Sequence, residues 1–562
     1  MWLNIGRIFA ISIWLTVAGP AIDAALASSS PTLLKQGPHW TNATRQQFYS
    51  LDQGSDIMPL SWFGALKQPN GKPFTADSLG RYGYLPNPAS PTPGLPVGFT
   101  VDGSGSDTMV GMTCAACHTR QINVRGTEYR IDGGPAIVDL QSLLEDLNSA
   151  VARVLRTYAA FSAFAVEVLG PSPDPAEKAA LRRAVEAWHL RFGTLMRISL
   201  PDRAWGPGRA DCVGVIFNRV TGLDIGPPPS YIISRNIREA AAPVRYPFIW
   251  NASIQDRTQW AGFAENGNAL LALARNVGEV YGVFGQFAPQ KTSAGIDYLA
   301  VNSVEIPNLL ELEELIAKIG PPRWPWAVDH DLAARGEAIF NRPTARGGCV
   351  DCHGIKPGVT RPVNQKTWLT QVLNVGTDTR AYQNFAWTAR TGVLNGASTA
   401  EIPTPLKPVD LSINVLSIAV TGAIGQFCEE NPAACGLTGE AGRSVARPNA
   451  PRIKPTDLEF GAYESRVLEG VWAAAPYLHN GSVPSLAQLL TPPAQRVRSF
   501  RVGPNYDTTD IGLAARQTKF DYVLRTTGCS DLNSGNSNCG HDYGTSLSAA
   551  NKRALLEYLK TL

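Results

Sequence analysis

The chain has 562 residues, with 50 Lys plus Arg against 47 Asp plus Glu and a formal net charge of +3. Charged residues make up 17% and hydrophobic ones 44%, beside 52 Gly and 42 Pro; this excludes a disordered polyelectrolyte and fits a loop-rich protein with a sizeable core. Near-balanced charge without a Lys/Arg run leaves no electrostatic footprint for nucleic acid or an anionic membrane surface.

Residues 1–27 read as a secretory signal peptide: Arg7, the apolar run Ile8 to Ala18, and Ala25-Leu26-Ala27 ahead of Ser28. The run is shorter than the roughly 20 apolar residues of a bilayer span, and no later segment looks long and apolar enough to cross one. The expectation is an exported protein, periplasmic or secreted, without a membrane span. Residues 28–105, rich in Pro and Gly, are expected to form a loop-rich N-terminal extension that wraps the surface.

Two motifs carry the chemistry. Cys114-Ala115-Ala116-Cys117-His118 and Cys349-Val350-Asp351-Cys352-His353 are both C-x-x-C-H. Two thiols three positions apart on one turn can both add to the vinyl groups of a haem, and the adjacent His then meets the iron from the proximal side. Two covalent haem c groups are expected, on Cys114, Cys117, Cys349 and Cys352, with His118 and His353 as iron ligands. The wide separation of the motifs gives two haem domains, 106–325 and 326–562.

In the first domain the pattern predicts helices at about 136–170 and 175–198, the second opened by Asp174-Pro175. The stretch Trp250 to Phe287, rich in aromatics and carrying Trp260, Phe263, Arg275 and Glu279, is the candidate distal wall of the first haem. In the second domain a helix over Leu332–Phe340 precedes the attachment turn. A closing helix capped by Ser546 or Ser548 runs to Leu562 on a stripe of Leu555, Leu556, Leu559 and Leu562. The fold class is mainly α: two cytochrome c-like haem domains with long loop-rich insertions and few short strands.

The sixth ligand decides what each iron does. No Met follows the second motif, since the chain has only Met1, Met58, Met109, Met112 and Met196. A His is therefore expected, and the candidates are His479 and His541. His479, between Pro476 and Gly481, is the choice; His541, beside Cys539 in a Gly/Asn-rich loop, reads as solvated. No sixth ligand stands out for the first haem. An open apolar site there would suit oxygen and a hydrophobic substrate, whereas Glu265 or Glu279 facing the iron could act as the acid/base that splits peroxide. The pairs Cys428/Cys435 and Cys529/Cys539 are placed to close small disulfide loops, and Cys212 reads as a buried thiol.

The two motifs, the Arg335-Gly336-Glu337 lead-in to Phe340, and Pro476-Tyr477-Leu478-His479-Asn480-Gly481-Ser482-Val483-Pro484 resemble the dihaem cytochrome c peroxidase superfamily. Within it the chain looks most like the rubber oxygenase and dihaem fatty acid dioxygenase branch, from about residue 105 to the end. The resemblance implies a catalytic haem on His118 with an open face, and a six-coordinate electron-relay haem on His353 and His479. It also implies O2 acting on carbon–carbon double bonds of a hydrophobic unsaturated small molecule or polymer. Alternatives within the superfamily are an H2O2-dependent peroxidase served by a small electron-donor cytochrome, and a MauG-type oxidase, for which Tyr477 would be the ligand. A plain electron-transfer cytochrome is the non-enzymatic alternative. Relatives of this kind hold calcium, but no compact carboxylate loop marks a site for it here.

Overall fold

A computed structural model describes residues 30–360, 364–400, 402–435 and 459–562. The signal-peptide reading falls on residues 1–27, outside the described residues. Helices α1 (Asn42–Ser50), α2 (Leu140–Arg156), α3 (Tyr158–Leu169), α4 (Pro175–Ser199), α5 (Cys212–Arg219), α6 (Ala269–Gly282), α7 (Ile306–Lys318), α8 (His330–Phe340), α9 (Ser412–Glu430) and α10 (Ala549–Leu559) build most of the framework. The strands are short and pair in twos and threes. Among the described residues no helix is long and apolar enough to cross a membrane.

The stretch 136–170 forms two helices, not one. Asp139 caps α2 by accepting from Ser142 N–H, and a stripe of Leu140, Leu143, Leu144, Leu147 and Val151 turns inward at helical spacing. Thr157 then takes an extended backbone, and its hydroxyl accepts from Ala160 N–H to start α3. The β-branched, cap-forming Thr between two apolar runs is the reason for the break. α4 begins where the Asp174-Pro175 pair placed it, with a capping box between Asp174 and Glu177.

Within the expected extension of residues 28–105, several side chains are buried in the larger body. β1 (Thr32–Leu33) lies parallel to β3 (Thr127–Asp132), which pairs antiparallel with β2 (Thr119–Val124). Phe48, Phe63 and Phe74 are all at most 1% exposed. The buried carboxylate of Asp132 anchors the segment: Trp40 Nε1 donates at 2.7 Å, Arg45 Nε at 2.6 Å and the Tyr49 hydroxyl at 2.5 Å. Glycines and prolines turn the chain there, while the aromatics between the turns bury themselves in the larger body. One buried cluster draws together α1, α6, α7, α9 and α10, so packed side chains cross the residue 325 boundary.

α8 and α10 cross closely, because a Cβ on Gly336 would lie 2.0 Å from the Ala554 carbonyl oxygen and 2.7 Å from Tyr558 Cβ. Gly336→Val is therefore expected to force the crossing apart. It should destabilise the protein by about 3 kcal/mol, as overpacking does, read as a lower thermal midpoint, whereas Ala333→Gly should cost less.

Candidate functional site

Each attachment motif forms a tight turn in which the His N–H donates to the carbonyl of the first Cys, at 3.0 Å for both His118 and His353. In the first turn Gly98, at φ +76°, lies so close that a Cβ would be 2.0 Å from Ala116 N; only glycine allows that approach. Burial raises the Cys117 thiol to about 12 and the Cys349 thiol to about 11.

The two imidazoles are held alike. His118 Nδ1 lies 3.0 Å from the Pro247 carbonyl oxygen, and His353 Nδ1 lies 2.8 Å from that of Arg466. A proton fixed on Nδ1 leaves Nε2 as the free lone pair, the arrangement that orients a metal-binding His. Burial drives His118 down to about 4, against the raising effect of the Pro247 carbonyl, and lowers His353 for the same reason. Both rings are neutral at neutral pH.

The ring that faces His353 is His541, not His479. Their centroids are 6.1 Å apart. A metal bond of about 2 Å on each side, plus roughly 1 Å from nitrogen to centroid, spaces two opposed imidazoles by about 6 Å. The separation of His353 and His541 matches that spacing, with the rings tilted 44° to one another. His479 is buried elsewhere, stacked on Tyr463 at 3.6 Å and 12°, with its carbonyl accepting from Arg245 N–H.

The loop carrying His541 is rigid rather than solvated. The Cys529–Cys539 disulfide closes it. Arg496 clamps it by donating to the carbonyls of Asn538, Gly540 and His541. Gly540, at φ +74°, abuts Gly376, and His541 N–H donates to Val375 O at 2.9 Å. His541 itself has φ +48°, an unusual conformation for a non-glycine residue, and its Nδ1 is buried without a hydrogen-bond partner. The paired Cys529 and Cys539 and the adjacent Gly540 were the sequence signals for this; the Gly/Asn content pointed the other way. Cys428 and Cys435 are likewise joined. Converting Cys529 and Cys539 to Ser should remove about 2–3 kcal/mol of loop constraint, read as a lower thermal midpoint.

The interior also suits acidic groups that the chain itself does not supply. Arg120, Arg245 and Arg466 are 0%, 6% and 5% exposed. Glu464 lies near Arg466 at 3.5 Å, while Arg120 Nε and Nη2 are buried without a partner. Burial pulls Arg245 down to about 9, with the nearby Arg466 charge adding to the effect. Buried cations with free donors need anions, and the propionates of haem are of that kind. Sequence reading missed these arginines because spacing carries no sign of their convergence.

A cavity of about 1120 Å³ opens between α5, α6 and α9. Its walls include Val213 and Ile216 of α5, Leu273 of α6, and Leu416, Val420 and Ile424 of α9. Phe263, Arg275 and Glu279 line it, and Glu265 lines it as well. Glu279 accepts from Gln259 Nε2 and lies near enough to raise both the Cys114 and Cys117 thiols. Its own carboxyl is raised by burial, with Arg275 opposing. Arg275 is committed to Glu313 at 2.5 Å and Asn266 at 2.7 Å.

Trp260 is not on the cavity wall. Its indole N–H donates to Arg245 O at 2.8 Å, and the Arg245 guanidinium lies 4.6 Å over its ring, so Trp260 belongs to the arginine cluster. Trp250, Tyr281 and Phe287 are core side chains.

Residues 462–501 match the family model described as RoxA-like, cytochrome c-like. The match begins beside Tyr463, spans Glu464, Arg466, Tyr477 and His479, and contains neither attachment turn. It supports haem c as the cofactor and a haem-dependent oxidoreductase or cytochrome as the class. The chain is similar to the uncharacterized protein y4iJ of Sinorhizobium fredii, 29% identical over 596 residues that cover 93% of this chain and 92% of that protein. It is also similar to the uncharacterized protein y4iM of the same organism, 26% identical over 332 residues, 56% of this chain and 63% of that protein.

Proposed function

We propose that this protein is an exported dihaem c-type oxidoreductase. In this reading it uses O2 on the carbon–carbon double bonds of a hydrophobic unsaturated substrate, a fatty acid or a polyisoprenoid. The observation that carries the reading is the apolar cavity lined by Arg275 and Glu279, residues whose charges are felt at Cys114. Cys114, Cys117 and His118 would hold one haem; Cys349, Cys352, His353 and His541 would hold the other. Haem bound at the first turn supplies the activation of dioxygen.

The protein's own share is placement and exclusion. The aliphatic walls from α5, α6 and α9 favour an apolar chain over water. Glu313 neutralises Arg275, so the cationic side chain on the cavity wall is already paired. Bond cleavage by this route consumes one O2 per double bond and yields two carbonyls, with no external reductant. His353 and His541, with ring centroids 6.1 Å apart, suit a closed centre that stores or passes electrons.

One observation favours a second reading. Glu279, with its raised carboxyl pKa, is placed to act as the acid/base of a peroxidase served by a small electron-donor cytochrome. Glu279→Gln separates the two. Under the oxygenase reading, oxygen uptake with an unsaturated lipid or polyisoprene persists within about threefold, well short of the 10²–10⁴-fold that general acid–base catalysis contributes. Peroxide turnover that falls 100-fold or more in the variant, with no oxygen uptake by the parent protein, establishes the peroxidase instead.

A further inference from the structure

We propose that Arg466 is a positioning residue that ties the two proximal histidines together and sets the reduction potentials of both haem centres at once. The proposal rests on haem at both attachment turns. Its ground is a link of hydrogen bonds and short backbone steps between the two rings. The carbonyl of Arg466 lies 2.8 Å from His353 Nδ1. The side chain of the same residue reaches the other way, Nη1 donating to Phe248 O at 2.6 Å. The preceding carbonyl, Pro247 O, is the acceptor 3.0 Å from His118 Nδ1. Arg466 thus holds one imidazole through its own carbonyl and anchors the residue next to the carbonyl that holds the other.

That side chain is held at several points. Its guanidinium carbon lies 4.1 Å over the Phe248 ring, Nη2 donates to Gln255 Oε1 at 2.9 Å, and Nε lies 3.5 Å from Glu464 Oε1. Arg466 is 5% exposed and the Glu464 side chain 1%, so water screens neither charge well. Reduction adds an electron to each centre. A buried cation close to both proximal rings therefore favours the reduced form of both, and its buried counter-ion opposes it.

The test is a spectroscopic redox titration of the intact haem-loaded protein and of three variants, with haem content measured in each. Arg466→Gln should shift the reduction equilibrium of both centres about tenfold toward the oxidised form, which is 59 mV for a one-electron couple. Glu464→Gln, nearly isosteric, should shift both the opposite way. Arg466→Lys, which keeps the charge, should stay within about threefold of the parent. A shift confined to one centre, or absent in both, in variants that retain two haems overturns the proposal. If Arg466→Gln does not fold, Glu464→Gln decides on the same criterion. A parent protein with one haem would sink the dihaem reading itself, a result separate from two haems whose potentials ignore Arg466.

Discussion

Replacing His541 with alanine should turn the second haem centre from low-spin to high-spin and open it to carbon monoxide. The parent protein should bind carbon monoxide at one of its two haems and the variant at both. The expectation follows from the 6.1 Å separation of His353 and His541 and from the disulfide and Arg496 clamp that hold the loop in place. His479→Phe is the control, because it keeps the stack on Tyr463 while removing the nitrogens. It should leave the low-spin spectrum unchanged. Spectra and carbon monoxide titration of the two variants check the assignment, and a low-spin signal lost in His479→Phe but kept in His541→Ala would reverse it.

A bulky side chain in the cavity should have the other large effect. Ala274, on the same helix as Glu279, lines the cavity. Ala274→Trp should fill part of the 1120 Å³ beside the apolar wall and obstruct an extended substrate while leaving both attachment turns intact. Misplacing a substrate by about an ångström can cost on the order of 100-fold in rate, and a similar loss in kcat/KM for oxygen uptake is expected. The haem spectra should not change. Peroxide, small enough to pass the added ring, should react as it does with the parent. Steady-state oxygen consumption on a long-chain substrate, beside the peroxide reaction, reads both.

Much of the site was legible because its chemistry is local. Two C-x-x-C-H motifs name four thiols and two imidazoles from five contiguous residues each, and Asp174-Pro175 and Ser548 place helix starts through short-range capping. What was illegible is what the chain brings together from afar. His541 reaches His353 through a loop whose rigidity comes from Arg496 and a disulfide, and composition presented that loop as solvated. Arg120, Arg245 and Arg466 converge from three separated segments, with no periodicity to announce them. Trp260 shows the limit of reading an aromatic segment as one wall. Its neighbour Phe263 faces the cavity, while Trp260 turns to Arg245. The extension at residues 32–102 makes the same point for the fold, since its glycines and prolines signalled turns correctly but said nothing of the phenylalanines buried between them.

The most direct test of the division between an open and a closed centre is carbon monoxide stoichiometry on the reduced purified protein, with EPR of the oxidised form. The account predicts two covalent haems per chain, one carbon monoxide bound, and a single low-spin bis-imidazole signal. Two carbon monoxide molecules bound, or none, would contradict it.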